Sequence, residues 1–128
     1  MYVEHVAYLV DDPQAVADWY CAQLGMRVAR AGDAPNHARF LVDAAGKAMF
    51  EIYTSETLTT PDYASMHHSV LHLAFFSDDV EADCERLISA GASWVNKPEA
   101  NDAGDTMAMM RDPWGLALQV LKRKVPML

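Results

Sequence analysis

Apolar and polar positions along the chain follow two periods, and the switch between them happens twice. Residues Tyr2 to Val10 are dense in apolar and β-branched side chains and predict a strand. Asp12-Pro13 then opens a helix, with the aspartate as N-cap and proline at the first helical position, where a missing N–H costs nothing. Val16, Trp19, Tyr20 and Leu24 fall at helical spacing and predict a buried stripe, which Gly25 ends. Met26 to Ala31 returns to extended chain. Arg39 to Val42 is expected to pair with Ala48 to Tyr53 across the turn Asp43-Ala44-Ala45-Gly46. This half reads β-α-β-β-β.

The order then repeats. Beyond Thr54, residues 55–69 are rich in Ser, Thr, Pro and Asp and read as a linker. Val70 to Ser77 predicts a strand. Asp78, with Glu81 three residues on, is read as the N-cap of a helix whose stripe is Val80, Cys84, Leu87 and Ile88 and whose stop is Gly91. Ser93 to Asn96 is expected as a short strand, Lys97 to Gly104 as a loop and Thr106 to Met110 as a strand. The turn Asp112-Pro113-Trp114-Gly115 leads into a final strand, Leu116 to Lys122. The expected organisation is one domain over 1–128, with module one at 1–54, the linker at 55–69 and module two at 70–123.

Two features mark the halves as copies. His5 and His72 each stand seven residues before the aspartate that ends a strand, Asp12 and Asp79, and each half closes on a polar residue within an apolar strand, Glu51 and Gln119. The offset is 67 between the histidines and 68 between the closing residues, the signature of a duplicated module. Alternate side chains share a sheet face. If the helices cover one face of each sheet, His5, Glu51, His72 and Gln119 belong to the opposite face. A polar group withdrawn from water without a partner costs about 1 to 3 kcal/mol. Two imidazoles, a carboxylate and an amide oxygen form a mixed donor set suited to Zn, Ni, Fe or Mn, and one divalent cation would satisfy all four.

Composition narrows the partners. The 128 residues are 52% hydrophobic, enough for one substantial core, and the net charge of −8 has no basic stripe beyond Lys122-Arg123-Lys124. Nucleic acid and anionic membranes are therefore not expected as partners. No apolar run approaches a membrane span, and the N-terminus lacks the pattern of a secretory leader, so a soluble, cytoplasmic protein is expected. Cys21 and Cys84 form no CxxC and read as reduced helix residues. His67-His68 reads as solvated loop, with a second metal site as the alternative. Met107, Met109 and Met110 are strand residues of core or pocket, Met109 being the candidate substrate contact. Arg39 and Arg111 either hold an anionic substrate or are exposed strand charges, and Trp114 is either a lid or a packing residue.

Several segments together carry a family resemblance: His5-Val6-Ala7-Tyr8-Leu9-Val10-Asp11-Asp12, Trp19-Tyr20 before Leu24-Gly25-Met26, Phe50-Glu51-Ile52-Tyr53, His72-Leu73-Ala74-Phe75, and Asp112-Pro113-Trp114-Gly115 running into Leu118-Gln119. Over roughly Tyr2 to Arg123 the chain resembles the vicinal oxygen chelate superfamily of glyoxalases, bleomycin resistance proteins and dioxygenases. The resemblance implies an α+β fold in which two βαβββ modules form a cupped, barrel-like mixed sheet with helices on the outer face. It implies metal ligands at His5, Glu51, His72 and Gln119, with Glu51 as ligand or catalytic proton acceptor, and a homodimer as the assembly. The implied activity is that of a metal-dependent lyase, isomerase or dioxygenase acting on a small substrate with vicinal oxygens. The alternative is non-catalytic binding of a small molecule or drug. The family's last strand usually offers glutamate where this chain has Gln119, and an amide cannot act as a general base.

Overall fold

Residues 1–127 are described by a computed structural model, in which the chain forms two compact units divided between Pro61 and Asp62. The first contains β1 (Val6–Leu9), α1 (Pro13–Leu24), β2 (Arg27–Ala31), β3 (Arg39–Val42) and β4 (Met49–Tyr53). The second contains β5 (His72–Phe76), α2 (Val80–Ser89), β6 (Ser93–Ala100), β7 (Thr106–Arg111) and β8 (Ala117–Lys122). Each unit is a four-stranded mixed sheet. The strand orders are β1-β4-β3-β2 and β5-β8-β7-β6, with the first and last strands of each unit parallel and the other pairs antiparallel. The fold is α+β and built twice, as the repeat predicts.

The duplication extends to register. Ala7 pairs with Glu51 in the first sheet, and Ala74 pairs with Gln119 in the second. A slip of one residue would turn every side chain to the opposite face, so the shared register makes Glu51 and Gln119 structural equivalents.

Local chemistry explains the helices. The Asp12 carboxylate accepts from the Ala15 N–H at 3.0 Å, Pro13 occupies the first turn, and Gly25 adopts φ 67° while its N–H reaches the Tyr20 carbonyl. Helix α1 covers β2, β3 and β4, and Val16, Ala17, Tyr20, Leu41 and Ile52 are all but inaccessible to water. Trp19 and Leu24, expected in the stripe, are only half-buried. Helix α2 covers β6, β7 and β8, with Val80, Cys84 and Leu87 against Met110 and Leu118 in the second core. Burying a large apolar side chain of this kind contributes about 1.5 to 3 kcal/mol.

Three local features differ from the sequence pattern. The cap of α2 is Asp79 rather than Asp78: the Asp79 side chain accepts from the Ala82 N–H at 3.1 Å, while the Asp78 carbonyl accepts from Lys122 Nζ at 2.8 Å. Strand β6 continues to Ala100 instead of stopping at Asn96, because two irregularities between Trp94 and Glu99 let it bend and resume pairing with β7. Pro98 is tolerated there because β6 is an edge strand and the break leaves that position out of the ladder. Finally, the segment after Pro61 belongs to the second unit. Tyr63 is buried, and Arg111 donates to the carbonyls of Tyr63 at 2.8 Å and Met66 at 2.7 Å.

Candidate functional site

In the first unit the sheet face turned away from α1 carries the candidate chemistry. Tyr8, Leu41 and Ile52 are buried on the helix side, so alternation directs Ala7, Phe40 and Glu51 to the other. His5 stands just ahead of β1 and reaches the same place. Its Nε2 lies 3.2 Å from Glu51 Oε2, and its ring meets the Phe40 ring edge-on, with centroids 5.6 Å apart and planes at 86°. Its Nδ1 is hydrogen-bonded to the Glu4 carboxylate. A carboxylate only accepts, so Nδ1 carries hydrogen and Nε2 is the nitrogen presented to Glu51 or to a ligand. The Glu4 hydrogen bond is the largest cause of a pKa raised above the ordinary histidine range; the charges of Glu4 and Glu51 add to it and partial burial opposes it.

Glu4 was not among the residues singled out from sequence. Strict alternation would place it on the face opposite His5. Ladder pairing begins only at Val6, so Glu4 and His5 are free of the pleat and can fold toward each other.

The second unit repeats the arrangement with softer groups. His72 Nδ1 contacts the His68 carbonyl at 3.1 Å. A carbonyl also only accepts, which leaves His72 Nε2 as the lone-pair nitrogen. Gln119 is half-buried, and its Nε2 points at Met107 Sδ at 3.9 Å, so its carbonyl oxygen is the atom offered to a ligand. Both side chains line a cavity of about 680 Å³ together with His68, Asn96, Lys97, Met107 and Met109. The His68 ring stacks on that of His67 at 4.2 Å. Burial, and then the charges of His67, Arg111 and His72, hold its pKa below the ordinary histidine value.

The remaining candidates divide. Met109 lines the cavity of the second unit. Trp114 is 37% exposed at the turn before β8. The guanidinium groups of Arg39 and Arg111 are both held by local groups. Arg39 binds the Gln14 side chain and the carbonyls of Gly32, His37 and Ala38. Arg111 binds the carbonyls of Tyr63, Met66 and Gly115.

His5 and Glu51 fit a divalent cation as a pair. Nitrogen and oxygen ligands each about 2.1 Å from one ion lie about 3.0 to 3.4 Å apart across octahedral or tetrahedral angles, and the His5–Glu51 separation of 3.2 Å falls in that range. The Glu4–His5 contact is the carboxylate–imidazole support that metal-binding histidines use. Among the described residues, no cluster of three or more His, Cys, Asp and Glu side chains is arranged to hold a metal; each unit by itself offers two donors. No helix there is long and apolar enough to cross a membrane.

Comparison with known proteins agrees with this fold. A model of the Glyoxalase/Bleomycin resistance protein/Dioxygenase superfamily matches residues 2–120. A glyoxalase family protein from Enterococcus faecalis is 26% identical, with a TM-score of 0.70 over 94% of this chain and 97% of that one. A glyoxalase family protein from Bacillus cereus superposes with a TM-score of 0.83 at 13% identity, covering 96% and 94%. Glyoxalase I from Zea mays gives 0.75 at 23% identity over 93% of this chain and 43% of its own length. No curated protein matches by sequence.

Proposed function

The chain belongs to the Glyoxalase/Bleomycin resistance protein/Dioxygenase superfamily, and from that premise we propose that it is a metal-dependent enzyme of lyase, isomerase or dioxygenase type whose small substrate carries vicinal oxygens. The observation that carries this reading is the His5–Glu51 pair, 3.2 Å apart with the far nitrogen of His5 held by Glu4. His5 and Glu51 in the first unit, and His72 and Gln119 in the second, are the residues that would hold Zn, Ni, Fe or Mn. A bound cation of this kind supplies Lewis-acid stabilisation of charge developing on adjacent substrate oxygens.

The chain's own groups have separable tasks. Glu4 fixes the tautomer and orientation of His5. Glu51 is the carboxylate able to ligate or to accept a proton, a task closed to the Gln119 amide. Phe40 supplies an apolar wall beside His5, and Met107 and Met109 give the second cavity thioether walls that adapt to ligand shape. On this reading the protein works as a cytoplasmic homodimer.

Elemental analysis of protein purified without chelator, followed by titration with Ni, Zn, Fe and Mn, tests the proposal. Uptake near one equivalent, abolished by His5→Ala, is expected. A chain that ignores all four ions would overturn it.

Gln119 favours one second reading. An amide where the family's closing strand usually carries a carboxylate, beside a cavity of about 680 Å³ in a protein of net charge −8, suits metal-independent capture of a cationic compound. Thermal stabilisation by such a compound in the presence of chelator separates this reading from the first.

A further inference from the structure

The six arginines of the chain divide sharply by what they touch. Arg39, Arg86, Arg111 and Arg123 each bind carbonyls, carboxylates or an amide oxygen. Arg27 and Arg30, both exposed on the edge strand β2, have no hydrogen bond or ion pair among the described residues.

Register shows where these two cations stand. Arg30 pairs with Phe40, which pairs with Glu51; Arg27 pairs with Val42, which pairs with Met49. Residues directly opposite across antiparallel strands share a face, so both arginines belong to the face that carries His5, Phe40 and Glu51. Residues three apart on a regular strand would point to opposite sides. The irregularity between Val28 and Arg30 adds one residue to β2 and brings the two guanidinium groups to the same side. The same device recurs in the second unit, where an irregularity between Trp94 and Asn96 puts Ser93 and Asn96 opposite Arg111 and Met109. Bulges re-aim side chains and are common beside functional sites.

A groove of about 380 Å³ lies beside Arg27, lined also by Val42, Met49, Lys47 and Glu4; Arg30 stands outside it, further along β2. The one anion on its border, Glu4, is already engaged with His5.

Resting on the metal-dependent reading above, we propose that Arg27 and Arg30 bind an anionic oxygen group, a carboxylate or a phosphate, on the substrate. That group would sit two strands, about 10 Å in backbone spacing, from Glu51. The substrate is then an acid whose vicinal oxygens and anionic group lie at opposite ends. Planar guanidinium forks suit both carboxylate and phosphate.

Titration of the whole chain with inorganic phosphate and, separately, with succinate at constant ionic strength tests this, read by backbone amide shifts of β2 and β3. Binding of at least one anion in the millimolar range is expected. A preference for phosphate or for succinate distinguishes the two sources. Arg27→Gln with Arg30→Gln should weaken it at least tenfold, Arg30→Lys should restore part of it, and Arg86→Gln should leave it unchanged. Metal uptake by the double variant should match the parent. An anion that shifts no β2 or β3 amide, or that binds the double variant as well as the parent, overturns the inference while leaving the metal reading intact. Anion binding by the parent that is lost in the double variant, in a chain that takes no metal, would leave the anion site standing and remove the enzyme reading.

Discussion

His5 Nε2 faces Glu51 Oε2 at 3.2 Å, while the opposite ring nitrogen is held by Glu4. An imidazole placed between two carboxylates has a fixed orientation and a pKa displaced upward, chiefly by Glu4. If the pair is a metal half-site, Glu4 acts through His5 without touching the ion. Supporting carboxylates of this kind are worth about 10- to 100-fold in metal affinity. Glu4→Gln is therefore expected to weaken Ni or Zn binding within that range, and Glu51→Gln more severely. Titration calorimetry on both variants checks the order; equal affinities for Glu4→Gln and the parent would separate Glu4 from the site.

Arg111 ties the 63–66 segment to the turn at Gly115 through three carbonyls. Hydrogen bonds to a charged group contribute about 1.5 to 3 kcal/mol each and do not add when one side chain makes them all. Arg111→Ala is expected to cost roughly 3 kcal/mol in urea unfolding. Arg111→Lys should recover little, since a single ammonium cannot span the fork. Gly115 gives an independent check of the same contact. Its φ is 95°, and an added Cβ would fall 2.7 Å from both the backbone nitrogen and the Cβ of Ala64. Gly115→Ala is expected to destabilise by about 2 kcal/mol or more.

How far the sequence reveals the site can be seen by contrasting the arginines. Arg39 and Arg111 sit on regular strands, and the sequence leaves each as an anion binder or an exposed strand charge. Yet both guanidinium groups bind local backbone carbonyls. Arg27 and Arg30 are three apart, and the alternation that puts Phe40 and Val42 on one face of β3 would separate them on β2. The irregularity that reunites them has no side-chain signature in Arg27-Val28-Ala29-Arg30. Caps and turns, by contrast, follow residue chemistry closely: Asp12-Pro13, Asp43 to Gly46, and Asp112 to Gly115 all stand where propensity puts them. Asp78 and Asp79 are chemically equal candidates, and the backbone, extended at Asp79, decides between them.

Asp83 and Asp105 are both held below the ordinary carboxylate range. For Asp83 the chief cause is the Ser77 hydroxyl, which donates at 2.6 Å, followed by Arg86; for Asp105 it is the Lys124 backbone N–H, with Asn101 and Arg123 adding to it. A depressed native pKa stabilises the fold above the unfolded value near 4, and that contribution is lost as pH falls through the native value. Urea midpoints are expected to hold from pH 7 to about 5 and drop below about 4. Asp105→Asn should lower the plateau and flatten the acid limb. An unchanged acid limb in Asp83→Asn and Asp105→Asn alike would exclude both groups as its source.

Burial in the α2 stripe pushes the Cys84 thiol up to about 11, with Asp83 and Glu81 adding to the shift. The thiolate is the reactive form, and at pH 8 Cys84 is almost wholly protonated as well as inaccessible. A chromogenic disulfide reagent is therefore expected to leave Cys84 unmodified in the native chain and to modify it after denaturation. Cys21→Ser isolates the measurement. Rapid native modification of that variant would mean that α2 opens readily.

Gln119 occupies the register position of Glu51, opposite Ala74 as Glu51 is opposite Ala7. Among the described residues its side chain makes one long bond, to the Met107 sulfur, so a carboxylate there would give up little. In the second unit Gln119→Glu puts a charged oxygen donor where a neutral amide lines the same cavity as His72. Half-buried and without a cation, that charge should cost about 1 kcal/mol of stability. Added Ni or Zn should restore it, because an ion that binds only the folded state raises stability with its concentration. A melting temperature that falls in the variant and recovers with metal, more than the parent gains from the same addition, is the expected result. A fall that no metal reverses would place Gln119 outside any metal site.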